Sequence, residues 1–184
     1  MLCDDLTVNL GEIDTSKITD MSGLFVYTSR RGSQFNGIEK WNVSNVEDMN
    51  SMFFQCKLDN LNLNAWNVSK VTNMSMMFYE ADFTGEISKW NVSNVRRMIN
   101  MFSRCNFNGD LAAWNVSAVQ NMNGMFEMSG FNQDISSWKI NRHCSMEYFN
   151  RFCALSNDHL PKILIKSEKL TVFDNQKLIL ACAE

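Results

Sequence analysis

The chain has 184 residues, 45% of them hydrophobic and 20% charged, with a formal net charge of −3. That balance suits one globular domain with a sizeable core. No run of Lys or Arg exceeds two, which gives no nucleic-acid footprint, and no apolar run approaches a membrane span. Met1-Leu2-Cys3-Asp4-Asp5-Leu6 lacks the basic and then apolar stretch of a secretory signal, so the cytoplasm is the expected location.

Taken along the chain, the pattern is a repeat. Trp41, Trp66, Trp90, Trp114 and Trp138 lie 25, 24, 24 and 24 residues apart. The first four each open the phrase Trp-Asn-Val-Ser-x-Val-x-x-Met-x-x-Met-Phe. A period of this length marks a coil of stacked repeats. Ile13 occupies the tryptophan column in a first, divergent unit, so six repeats start near residues 10, 38, 63, 87, 111 and 135.

Between Phe25 and Ile38 the first repeat carries about four extra residues around Tyr27, Arg30 and Arg31. Insertions of this kind fall at turns and often serve binding. Within the regular repeats, Ile87-Ser-Lys-Trp90-Asn-Val92-Ser-Asn-Val95 alternates as a strand with one buried face does. Val95, Met98, Met101 and Phe102 then fall at i, i+3, i+6 and i+7, which predicts a short helix capped by Ser93 or Asn94. Asn106-Phe107-Asn108-Gly109-Asp110 reads as the polar return turn. The Asn-Val-Ser phrases match the glycosylation acceptor pattern as a by-product of the repeat, and their Asn columns are expected to hydrogen-bond along the stack. The sixth repeat, from Trp138, is degraded, as terminal repeats commonly are. Residues 1–154 therefore read as the repeat region. Residues 155–184 read as a C-terminal cap of two strands, 162–166 and 169–173, and a short closing helix at 174–184.

Ile-x-x-Trp-x-Val-x-x-Val followed by Met-x-x-Met-Phe-x-x-Cys resembles the repeat of about 25 residues found in BspA-like bacterial surface proteins, over residues 10 to 153. The resemblance implies an α/β solenoid related to leucine-rich repeats: a right-handed coil of six repeats, one parallel sheet, short helices opposite. It also implies adhesion or protein binding, a cell-surface or secreted setting, and no enzyme activity.

In such a coil a partner meets the faces. The strand face exposes Lys40, Asn42, Asn67, Lys70, Lys89 and Asn91, a faintly basic row on an acidic chain, and the insertion residues Tyr27, Arg30 and Arg31 lie toward the same half. This is the expected partner-binding site. The rival lies on the helix side: Phe54 and Tyr79, one repeat apart, with Arg97 and Arg104 nearby.

Cys56, Cys105 and Cys153 share a small-residue column two repeats apart, about 9–10 Å, too far for a disulfide. They are expected to be free and buried. His143-Cys144 and the turn column of Glu86, Asp110 and Asp134 are the places where a ligand site, metal site or enzyme would sit. Neither supplies four zinc ligands or a convergent nucleophile and base. No metal or other cofactor is expected, and a protein partner is.

Overall fold

Twenty-four residues cannot enclose a core, so each repeat must bury its apolar columns against its neighbours. The computed structural model describes residues 9–28 and 35–162. Arg30 and Arg31 of the insertion, Cys3 and Cys182, and the expected cap elements from residue 163 onward lie outside the described residues.

Successive repeats pair in parallel at one column. Asp20 bridges Asp48, Asp48 bridges Asn73, Asn73 bridges Arg97, Arg97 bridges Asn121, and Asn121 bridges Ser145. Two named strands add to this, β1 (Lys57–Asp59) and β2 (Asp82–Phe83), parallel with Lys57 opposite Asp82. Short 3-10 helices occupy Leu10–Glu12, Ile38–Lys40 and Asn157–His159.

Local structure differs from the sequence expectation in two places. The Met-x-x-Met-Phe stretch is a run of turns and not a helix. In each repeat two residues four apart have left-handed backbone: Ser51 and Gln55 (φ 56° and 55°), Met76 and Glu80 (55° and 51°), Asn100 and Arg104 (52° and 56°). A left-handed residue breaks a right-handed helix and redirects the peptide planes on either side. The N–H groups therefore leave the repeat. Met49, Ser51, Phe53 and Gln55 donate to the carbonyls of Asn73, Ser75, Met77 and Tyr79. The same four positions bond at every junction, ending with Met122, Gly124, Phe126 and Met128 donating to Ser145, Glu147, Phe149 and Arg151. Two four-residue turns still point Met98, Met101, Phe102 and Cys105 inward, which is why the spacing imitates a helix.

The second difference is the Trp-x-Val segment. Turns at Ser88-Lys89 and Ser93-Asn94 flank it, and the chain pairs later, at Arg97. Lys40, in a 3-10 helix, and Lys70 and Lys89, in turns, thus stand on a row of turns, not on a sheet face. The Asn column is corrected as well. Asn42, Asn67, Asn91 and Asn115 do not chain together; each accepts through Oδ1 from the backbone N–H two residues on, at Ser44, Ser69, Ser93 and Ser117. These Asx turns fix the bend locally.

The core follows the columns. Each tryptophan indole donates to the backbone carbonyl that opens the preceding repeat: Trp41 to Leu10, Trp66 to Ile38, Trp90 to Leu63, Trp114 to Ile87 and Trp138 to Leu111, at 2.7–3.3 Å. In repeats 2 to 5 that carbonyl also accepts the N–H of its own repeat's tryptophan, so both lone pairs are used. The Phe53, Phe78, Phe102 and Phe126 rings stack at 5.6–5.8 Å. A second aromatic column, Phe83, Phe107 and Phe131, lies beside it and is fully buried. Phe107 thus belongs to the core, and its segment is not simply a polar turn.

The register continues past residue 154. Ile135 N–H donates to His159 O, as Leu63 N–H does to Glu86 O, and Leu160 is buried in the column headed by Leu10.

Candidate interaction surface

The paired left-handed turns put one short row of side chains outward in every repeat. At its N-terminal end three aromatics meet. Phe54 and Tyr79 stack at 4.9 Å with planes 11° apart. Tyr27, left-handed at φ 57° and 69% exposed, packs edge-on against Phe54 at 5.3 Å. The sequence assigned Tyr27 to the basic row and Phe54 and Tyr79 to the rival; the structure brings all three together. The row ends at Ser103, which is buried.

Beside it runs a polar column. Gln55 donates to Glu80, and Arg104 Nε lies 3.7 Å from Glu80 Oε1. That exposed pair contributes little to stability. Burial raises the Tyr79 hydroxyl above its ordinary value, and the Glu80 carboxylate adds to the effect while Arg104 opposes it. Arg97 does not join the group; it stands in the bridge column between Asn73 and Asn121.

The basic row remains exposed and dispersed. Lys70 Nζ donates to Asn45 Oδ1 at 2.7 Å, and the amide oxygens of Asn42, Asn67 and Asn91 are held in their own turns. Lys40 and Lys89 are exposed.

A third group went unread in the sequence. Arg151 pairs with Glu127 and lays its guanidinium 4.2 Å from the Tyr148 ring centroid and 5.6 Å from that of Phe152. Phe152, Tyr148 and Met128 are all exposed. The signal was present, since Tyr148 is aromatic where other repeats carry Gly, Ser, Met or Asn, and Phe152 is aromatic where repeats 2 to 5 carry Gln, Glu, Arg and Met, but degraded repeats are easily dismissed as caps.

The two chemical candidates behave differently. His143 is exposed and accepts from Arg142 Nε at 2.9 Å, while Cys144 is buried and its thiol donates to the Ser145 carbonyl. The side chains do not converge. Burial pushes the Cys144 thiol up to about 11, away from a reactive thiolate. Burial likewise raises Cys56 to about 11 and Cys105 to about 12. Cys56, Cys105, Cys144 and Cys153 are free, and Cys153 is half-buried.

In the acidic turn column, Asp110 accepts from Ala112 N–H and Asp134 from Ser136 N–H, while Glu86 accepts from Asn64. The carboxylates serve local turns and neighbours. Among the described residues there is no group of three or more His, Cys, Asp or Glu placed to hold a metal. A cleft of about 370 Å³ does open there, lined by Thr84, Gly85, Glu86, Phe107, Gly109 and Asp110 among others. Among the described residues no helix is long and apolar enough to cross a membrane.

No curated protein and no solved structure matches this chain. A family model does, at residues 2–83 and again at 59–162. The shared stretch, 59–83, is one repeat long, as expected when a model of a repeat array fits in two registers. With these two matches spanning the repeats, the chain belongs to the family described as "Mycoplasma protein of unknown function, DUF285".

Proposed function

We propose that this repeat protein is a non-enzymatic protein-interaction module, a right-handed leucine-rich-repeat-like solenoid of the BspA-like kind, acting as an adhesin, effector or inhibitor. The observation that carries the reading is the Tyr27–Phe54–Tyr79 cluster, in which Tyr27 is exposed and packs on the half-buried Phe54 and Tyr79 stack. Its side chains stand on backbone fixed by inter-repeat hydrogen bonds, so little order remains to be lost on binding. Aromatic anchors on such a surface are what interface hot spots are made of. The basic row of Lys40, Asn42, Asn67, Lys70, Lys89 and Asn91 forms the outer part of the proposed footprint.

The test is capture of a partner from native-host lysate by wild type and by two double variants, Tyr27→Ser with Tyr79→Ser, and Lys40→Glu with Lys89→Glu. The reading expects a stoichiometric protein partner lost with the aromatic pair and weakened with the lysine pair. Loss with the lysine pair alone moves the site to the basic row. Retention by both variants rejects both surfaces. A second class, a small-ligand protein, rests on the cleft beside Glu86 and Asp110. Thermal stabilisation by a small molecule or metal, without a protein partner, would favour it.

A further inference from the structure

Every junction in this stack is polar in the same sense. At positions such as Met74, Met76, Phe78 and Glu80 the N–H points to the following repeat, at Arg97, Ile99, Met101 and Ser103, whose carbonyls point back. Carried to the ends, the rule leaves two complementary edges. Among the described residues, the N–H groups of Met146, Tyr148, Asn150 and Phe152 have no acceptor. At the other end the carbonyls of Asp20, Ser22, Leu24 and Val26 have no donor among the described residues. The two sets occupy the same columns and match as donor and acceptor.

Apolar packing points the same way. In the first repeat Ile13, Ile18 and Leu24 stand in the Trp, Val and Met columns, yet are 46%, 40% and 49% exposed. Their counterparts one repeat later, Trp41, Val46 and Met52, are 7%, 0% and 0% exposed. The first repeat therefore presents its core columns as an open end face. At the far end Tyr148 and Phe152 are exposed beside the open N–H row. Unpaired ladder edges with apolar surface are templates for further pairing.

We infer that a second copy of this chain stacks its sixth repeat on the first repeat of its neighbour, continuing the ladder head to tail. The donor row of Met146 to Phe152 meets the acceptor row of Asp20 to Val26, and Ile13, Ile18 and Leu24 are covered as Trp41, Val46 and Met52 are within the chain. Because the joined surfaces differ, the contact is heterologous and extends beyond a dimer unless rotation closes a ring. The aromatic row proposed for partner binding faces sideways from the stack, so this inference stands apart from that one.

Sedimentation equilibrium of the full chain over a wide concentration range tests it, with two blocked forms. Ile18→Lys with Leu24→Lys blocks the acceptor end; Tyr148→Glu with Phe152→Glu blocks the donor end. All four residues sit at exposed or open-end positions, and the tryptophan emission reports that each variant is folded. Wild type should grow in mass past the dimer. Each blocked form alone should be a monomer, with association weakened at least about tenfold. An equimolar mixture should give a dimer and nothing larger, because one free donor end meets one free acceptor end. A monomeric wild type, as when residues 163–184 of the same chain cover the donor row, overturns the inference. So does self-association that survives either block, or a mixture that stays monomeric.

Discussion

Trp90 shows how one residue joins two repeats. Its indole N–H reaches the Leu63 carbonyl at 2.8 Å, and its ring lies between Trp66 and Trp114. Trp90→Ala should cost about 3–5 kcal/mol, from lost burial plus the cavity left. Trp90→Phe keeps most of the ring and loses the donor, at a cost of about 1–3 kcal/mol. A Trp90→Phe urea melt that coincides with that of wild type would mean the hydrogen bond contributes nothing. Gly85 is constrained differently: a Cβ there would stand 1.8 Å from the Leu61 carbonyl oxygen. Gly85→Ala should therefore cost about 1–3 kcal/mol or more, whereas Gly130→Ala, where a Cβ meets nothing within 4 Å, should leave the melt in place. The thiols give a pH signature. Folding holds Cys56, Cys105 and Cys144 protonated above their ordinary value of 9.0, to about 11, 12 and 11. A raised folded value stabilises the fold fully below pH 9 and is lost as pH rises toward 12. Stability should thus fall across that window, less so in Cys105→Ala. In the folded protein Cys56, Cys105 and Cys144 should resist alkylation at pH 8 and take up label once denatured.

Within a repeat, the sequence made the columns legible but not the backbone that carries them. Met98, Met101, Phe102 and Cys105 are inward as the spacing required, yet period alone cannot separate a helix from two consecutive turns. What decides is the left-handed pair at Asn100 and Arg104, and residues other than glycine hide it. Gly23 and Gly124 share the Asn100 column at φ 63° and 62°, and they were the clue available in the sequence. Phe107 was misjudged because Asn106 and Asn108 surround it, although Phe83 and Phe131 keep its column. Ser51 offers a clean discriminator. In a helix Ser51→Gly would be destabilising and Ser51→Val tolerable. At φ 56° the order inverts: Val should cost about 1–2 kcal/mol, and Gly should be neutral or slightly stabilising. The candidate site was half legible for the same reason. Column arithmetic set Phe54 beside Tyr79, but Tyr27 enters that group from the neighbouring left-handed column, and the arithmetic treats it as part of a loop.

Across the whole molecule, stability is a sum over near-identical junctions. Deleting residues 87–110, one full repeat, brings Met74, Met76, Phe78 and Glu80 opposite Asn121, Asn123, Met125 and Glu127, where the same bonds can form. The shortened chain should fold cooperatively with a lower midpoint; a molten product would mean the repeats are not interchangeable. The aligned indoles have an optical consequence. Trp66 and Trp90 are 6.2 Å apart with planes within 2°, and Trp90 and Trp114 are 6.3 Å apart within 9°. Chromophores this close exchange excitation before they emit. Light absorbed at Trp66 is shared with Trp114 through Trp90, so a quencher anchored beside Trp114 should dim emission out of proportion to its own reach. Trp90→Phe, by cutting that relay, should restore independent lifetimes to the two halves, making the chain's own ultraviolet emission a gauge of whether its layers remain in step.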